Sequence, residues 1–142
     1  MGASVAAAAT FVWLGMVLGI SFLEAPLKFR APGVTLPIGL GIGRIVFRAL
    51  NLVEVGLLVV AVVGAALGDT STTAWVLVVV AAVVLAVQLL AVRPALNRRS
   101  DAVLAAADPA DAPRSRAHLL YVGLELVKVL VLIALGSALL AG

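Results

Sequence analysis

The sequence contains no cysteine and a single histidine, and these absences exclude several kinds of chemistry together. Without cysteine the chain has no disulfide, no thiolate metal site, no iron–sulfur ligand and no thiol nucleophile. One histidine, His118, supplies neither a histidine pair for haem nor the usual ligand set of a zinc site. No serine, histidine and carboxylate set is recognisable either. We therefore predict no catalytic residue, no metal site and no cofactor, and an enzyme is not favoured.

Charged residues are also scarce, and most of the chain consists of long apolar stretches. Charged residues make up 12% of the chain, hydrophobic residues 64%, and the mean hydropathy is +1.25. A membrane span needs about 20 apolar residues, so 142 residues allow four spans and little else. We predict an all-α, multi-pass integral protein of the cell membrane, with residues 1–142 forming one four-helix bundle. The predicted spans are about 5–23, 45–67, 74–92 and 119–141.

Lysine and arginine are confined to particular parts of the chain. None precedes the first span, which argues against a cleaved signal peptide and predicts that this span is retained. Almost all of them lie in the connections 24–44 and 93–118, and the positive-inside rule places such connections in the cytoplasm. Both termini are then expected on the non-cytoplasmic side. The expected partners of this charge are anionic membrane lipids, and no nucleic acid is predicted.

Three shorter segments give local predictions. Residues 32–43 are apolar but rich in glycine and proline, which predicts an interfacial turn or a short re-entrant segment. Gly15 and Gly19 have GxxxG spacing, which favours close helix packing and makes a homo-oligomer through glycine-rich faces plausible. Ser100 resembles the N-cap of a short helix that would end at Asp108 and Pro109.

Ionisable side chains lie on one face of the last span. At 100° per residue, His118, Tyr121, Glu125 and Lys128 fall within an arc of about 80°. Charges inside a membrane-length helix are costly and mark a functional site or a compulsory partner. A candidate set of partners lies in the first half of span two, where an arc of about 120° holds Arg44, Arg48, Asn51 and Glu54.

The topology predicts that these two faces meet. Spans two and four are parallel, and at 1.5 Å per residue Glu54 and Lys128 each lie about 15 Å beyond the first polar residue of their span. We expect Lys128 to pair with Glu54 or Glu125, and Arg48 to pair with another carboxylate. Gln88 and Glu24 are expected to complete the cluster. The candidate ligand-binding or buried polar residues are Glu24, Arg44, Arg48, Asn51, Glu54, Gln88, His118, Tyr121, Glu125 and Lys128.

Two interpretations of this cluster stay open at the level of sequence. In the first, a polar cavity facing the cytoplasm binds or transports a small anionic solute or a lipid headgroup. In the second, the charges fix the register of otherwise interchangeable aliphatic helices, and the chain is a non-catalytic accessory or scaffold protein. A polar path through the outer half is missing, which argues against a complete pore within one chain.

A family resemblance rests on scattered positions. Trp13, Gly15, Pro26 and Phe29, followed by Gly43, Arg44 and Phe47, resemble the opening pattern of the four-helix membrane family related to transmembrane protein 205. The basic stretch 93–99 and His118 are also similar to that family. The resemblance covers most of the chain in layout, implies a four-helix membrane protein without an established biochemical activity, and transfers no catalytic residue. Glu125 and Lys128 are not part of the pattern.

Overall fold

Four long helices make up the part of the protein that the structure describes. The computed structural model describes residues 1–105 and 116–142, and within these ranges the chain is helical and contains no strand. Each helix is long and apolar enough to cross a membrane. We name them α1 (Gly2–Arg30), α2 (Leu36–Leu67), α3 (from Thr72 to Ala105) and α4 (Arg116–Ala141). The prediction of an all-α protein with four membrane-length helices is confirmed.

The helices are longer than the apolar stretches from which they were predicted. Thr35 caps α2 by accepting a hydrogen bond from the Ile38 amide, and a proline in the first turn suits this start. Most of the segment 32–43 therefore belongs to α2, and the turn before it contains Gly33 at a φ of 82°. At its other end, α3 continues through Ser100, so the predicted N-cap at that residue is wrong. The predicted stop at Asp108 and Pro109 lies outside the described residues.

Successive helices run antiparallel, which brings all four to each end of the bundle. At one end, a Cβ built on Gly64 of α2 would lie 2.8 Å from the Gly2 carbonyl oxygen of α1. At the other end, Cβ atoms built on Gly39 and Gly43 would meet Phe29 and Lys28 of α1. We call these the closed end and the open end. Gly39 and Gly43 thus provide room for α1.

The interior changes character along the bundle axis. Near the closed end the core consists of small and aliphatic residues: Ala6, Ala7, Ala65, Ala74, Val78, Leu135 and Leu139. The next layer consists of Trp13, Val17, Ala81, Leu85 and Leu132. Charged and polar side chains follow, and beyond them the bundle opens. Large aliphatic residues cover the outside, as expected for a surface that faces lipid.

Two helices widen at the depth of the polar layer. Leu18–Glu24 of α1 and Gln88–Val92 of α3 form π-helical segments, and the rest of both helices is mainly α-helical. Positions four residues apart drift by about 40° per step in an α-helix with 3.6 residues per turn. A wider turn reduces this drift and returns Ser21 to the face that carries Trp13 and Val17. Both segments therefore adjust which side chains point into the polar layer.

The GxxxG pair of α1 does not take part in packing within this chain. Cβ atoms built on Gly15 and Gly19 would meet nothing within 4 Å among the described residues. The predicted close helix packing at these glycines is thus not formed inside the bundle. Self-association through this face stays a prediction.

Candidate functional site

A lysine and two glutamates meet in the middle of the bundle. Nζ of Lys128 lies 2.5 Å from Oε2 of Glu54 and 2.7 Å from Oε1 of Glu125. The side chains of Lys128 and Glu54 are fully inaccessible, and that of Glu125 is 2% exposed. The sequence predicted one of these two pairs, and the structure contains both. We call this trio the charged centre.

Neutral side chains from α1 and α3 complete the shell of the charged centre. The Trp13 indole donates to Oε2 of Glu54 at 2.7 Å. The Ser21 hydroxyl donates to Oε2 of Glu125 at 2.5 Å, and the Gln88 amide donates to Oε1 of the same carboxylate at 2.7 Å. All four helices therefore contribute a group. Hydrogen bonds of this kind help a buried carboxylate to be tolerated, and here they reach both oxygens of Glu125 but only Oε2 of Glu54.

A cavity of about 400 Å³ opens beside the charged centre, toward the open end. Ser21, Tyr121 and Glu125 line it on the side of the centre. Cationic and imidazole side chains line it as well, namely Lys28, Arg44, Arg93, Arg99 and His118. Apolar residues such as Phe22, Leu40 and Leu96 form much of the remaining wall. The cavity thus combines several positive charges with a largely apolar surface.

Aromatic rings hold two of the cations in place. The Arg93 guanidinium lies 5.0 Å from the ring centres of both Phe47 and Tyr121, which themselves meet edge to face. The Lys28 ammonium lies 5.5 Å from the ring centre of Phe29 and 5.7 Å from that of Phe47. Cation–π contacts of this kind orient a cation without neutralising it. Arg93, which forms no ion pair among the described residues, therefore keeps its positive charge available to the cavity, whereas Lys28 also lies 4.0 Å from the Glu24 carboxylate.

Several donor atoms at the cavity wall are buried without a hydrogen-bond partner among the described residues. They are Nε of Arg44, Nε and Nη2 of Arg93, and Nε of Arg99. Other atoms of Arg44 are engaged, since Nη2 donates to the Asn97 carbonyl oxygen and to Oδ1 of Asp101, both at 2.8 Å. Buried donors are nearly always satisfied in folded proteins. The unpartnered guanidinium nitrogens therefore mark a place where acceptor atoms are missing.

A second, shallower groove lies on the other side of Arg44 and Arg93. Its volume is about 680 Å³, and Arg48, Asn51 and Asp101 are among the residues that line it. Arg48 is exposed there and forms no ion pair within residues 1–105 and 116–142, so its predicted pairing with a carboxylate is wrong.

Some of the remaining predicted residues join the charged centre, and others lie outside it. Gln88 joins the charged centre as predicted, and Tyr121 is buried beside the cavity. Glu24 instead faces Lys28, with Oε2 4.0 Å from Nζ, and is not linked to the centre. His118 is exposed and lines the cavity.

Sequence reasoning did not include five residues that contribute to the site: Trp13, Ser21, Lys28, Arg93 and Arg99. A buried indole usually needs an acceptor, and this rule links Trp13 to an intramembrane carboxylate. Arg93 and Arg99 were assigned to a connection, because the third span was predicted to end at about residue 92. Helical continuation of α3 brings both into the cavity wall.

No group of three or more histidine, cysteine or acidic residues that could hold a metal ion occurs among the described residues. Comparison with known proteins adds no assignment, since no family model, curated protein or solved structure matches the chain. The resemblance to the family related to transmembrane protein 205 therefore stays a prediction. What the geometry offers is a cationic cavity next to a buried, hydrogen-bonded trio of charges.

Proposed function

We propose that this protein binds a small anionic solute, or the anionic headgroup of a membrane lipid, in the cavity at its open end. The observation that carries the proposal is the set of unpartnered guanidinium nitrogens on Arg44, Arg93 and Arg99. These nitrogens are enclosed by the protein, so the guanidinium groups would turn toward phosphate or carboxylate oxygens in the cavity and then donate to them. Guanidinium groups suit both kinds of anion because several N–H donors lie in one rigid plane.

The cavity wall favours a ligand that is only partly polar. Apolar residues such as Phe22 and Leu96 lie next to the arginines, so an anion that carries an apolar part would contact both. A lipid meets this description, and so does a small organic acid. Movement of the ligand through the same chain would require the closed end to separate, because small residues such as Ala6, Ala65 and Ala74 pack tightly there.

The proposal includes an orientation in which the open end faces the cytoplasm. Lys28, Arg44, Arg93 and Arg116 all lie toward that end, and the positive-inside rule supports a cytoplasmic position for them. Because the chain lacks cysteine, single cysteines can be introduced at Thr72 and Ser100. Labelling of the two from opposite sides of the membrane is expected, and same-side labelling contradicts this orientation.

The binding proposal is tested by calorimetry and native mass spectrometry on the full chain in a neutral detergent. One arm uses inorganic phosphate, and the other compares phosphatidylglycerol with phosphatidylcholine. Binding of phosphate alone indicates a soluble ligand, whereas selective retention of phosphatidylglycerol indicates a headgroup. In either case R99Q is expected to weaken binding about tenfold, because one charge-assisted hydrogen bond is lost.

The matched control is R98Q, which removes the neighbouring arginine of the same helix. Arg98 is exposed and is not among the residues that line the cavity. Loss of such a surface charge is expected to change affinity by less than about threefold. Equal losses in R98Q and R99Q would indicate diffuse electrostatic attraction and contradict a built site.

A purely structural role is the second candidate function, and the direct contact between Lys128 and both glutamates favours it. In that case the charges set helix register, and the chain serves as a scaffold or accessory protein. Binding of neither phosphate nor phosphatidylglycerol by a folded protein would support this alternative over the anion-binding proposal.

A further inference from the structure

We propose that the charged centre is a proton-binding site, in which one exchangeable proton resides on Oε1 of Glu54. The inference concerns the buried trio and does not depend on what the cavity binds. It follows from three observations: the balance of charge, the balance of donors and acceptors, and the space around the trio.

The charges of the trio do not cancel, and one negative charge is left over. Two carboxylates share a single ammonium, because Glu54 and Glu125 both contact Lys128. With every group ionised the trio carries a charge of −1 while shielded from water. An uncompensated charge inside a membrane protein is costly, and binding a proton removes it.

The balance of hydrogen bonds points to the same missing proton. Three buried acceptor oxygens around the trio have no donor among the described residues: Oε1 of Glu54, Oε1 of Gln88 and Oδ1 of Asn51. Asn51 lies one turn before Glu54 on the same face of α2, and Gln88 joins the trio through Glu125. A proton on Oε1 of Glu54 changes that atom into a donor, and the other two oxygens are candidate acceptors for it.

The two glutamates differ in a way that assigns the proton to Glu54. Glu125 accepts on both oxygens, from Ser21 at Oε2 and from Gln88 and Lys128 at Oε1, as expected for an ionised carboxylate. Glu54 accepts from Trp13 and Lys128 on Oε2 alone, while its Oε1 is unpartnered. A proton on Glu54 therefore adds a hydrogen-bond donor where no bond was formed. A proton on Glu125 would instead remove an acceptor that is already in use.

Space at the centre favours a proton over a metal cation. The ammonium of Lys128 already occupies the position between the carboxylates. The cavity reaches Ser21 and Glu125 but is not lined by Glu54 or Lys128. A sodium ion with several oxygen ligands needs room beside Glu54, whereas a proton needs none.

No other charged group within the described residues compensates the trio directly. Trp13 and Ser21 from α1 and Gln88 from α3 contact the trio directly, and Asn51 and Tyr121 lie one turn from Glu54 and Glu125 on the same helices. Tyr121 lies one turn before Glu125, and Arg93 stacks on the Tyr121 ring. Arg93 forms no ion pair with either glutamate. Glu125 and Ser21 line the cavity, so the cavity reaches the trio on its Glu125 side.

Infrared spectroscopy tests the proposal on the full chain in an ester-free detergent at neutral pH. A protonated carboxylic acid gives a carbonyl stretch that is separate from the carboxylate bands and shifts on transfer to deuterium oxide. We expect this band in the natural protein and its loss in E54Q. The matched control is D69N, which removes an exposed carboxyl group remote from the trio and is expected to keep the band.

Each outcome decides for or against the proposal. Absence of the band from the natural protein, or its persistence in E54Q, overturns it. Glutamine has the shape and charge of a protonated glutamic acid, so E54Q is expected to fold with nearly unchanged thermal stability. Failure of E54Q to fold would likewise contradict the assignment, and the spectrum of the natural protein remains an independent measurement.

Discussion

The two ends of the bundle use the same residue type for opposite purposes. At the closed end a Cβ on Gly64 would lie 2.8 Å from the Gly2 carbonyl oxygen, and at the open end a Cβ on Gly43 would lie 2.8 Å from Nζ of Lys28. The first neighbour is backbone, which cannot move without separating α1 from α2. The second is the tip of a flexible side chain. Glycine therefore fixes helix contact at one end and makes room for a cation at the other.

This difference explains how a buried charged centre coexists with an open cavity. Small residues such as Ala6 and Ala74 hold the helices together on one side of the centre. On the other side, long cationic and aromatic side chains keep them apart. The charged centre lies at the boundary, where Glu54 is enclosed and Glu125 reaches the cavity. Three substitutions test this division, in order of decreasing expected effect.

The largest effect is expected at the boundary itself, for K128M. Removing the ammonium leaves Glu125 as an uncompensated buried charge, which typically destabilises a protein by about 3–5 kcal/mol. Denaturation with sodium dodecyl sulfate, followed by tryptophan fluorescence, measures the loss.

Two double variants sharpen the result. If Glu54 carries a proton, K128M/E125Q restores a neutral centre and recovers most of the stability, whereas K128M/E54Q does not. Equal recovery in both would contradict the different roles assigned to the two glutamates.

An intermediate effect is expected at the closed end, for G64A. The new methyl group meets the Gly2 carbonyl oxygen and the Ala6 amide nitrogen, at 2.8 and 2.9 Å. Overpacking of this kind typically costs about 1–3 kcal/mol. The matched control is G41A in the same helix, where a Cβ meets nothing within 4 Å. G41A is expected to gain up to about 1 kcal/mol from helix propensity, and equal stability of the two variants would contradict a tight closed end.

The smallest effect is expected at the open end, for G43A. The methyl group meets only the end of the Lys28 side chain, which can turn away toward the cavity. Stability in the same denaturation assay is therefore expected to change by less than about 0.5 kcal/mol. A loss as large as that of G64A would show that the open end is packed as rigidly as the closed end.

The sequence predicted the parts of the site in which contacts between side chains follow from helix periodicity. Apolar length predicted the four helices, and the 100° rule placed Tyr121, Glu125 and Lys128 on one face. Depth then made Glu54 one of two candidate partners for Lys128, the other being Glu125. Periodicity could not predict the widened turns at Leu18–Glu24 and Gln88–Val92, which decide that Ser21 and Gln88 both reach Glu125.

The open end was harder to predict from the sequence, because glycine and proline occur in several kinds of structure. Residues such as Gly39 and Gly43 indicated a turn when considered alone, and they are positions where α1 approaches α2. Arg93 and Arg99 were likewise assigned to a connection. Their contribution to a cavity depends on tertiary contacts with Phe47 and Tyr121, which no local pattern contains.

The contact between Glu54 and Lys128 also has a consequence for how the protein is made. The two residues are separated by 74 positions. At synthesis rates of about 5–20 residues per second, Glu54 is synthesised roughly 4–15 s before Lys128. Trp13 precedes Glu54 in the chain, so this hydrogen-bond donor to the carboxyl group is made before Lys128. Of the two direct partners of Glu54 among the described residues, the neutral one is synthesised first and the cation last.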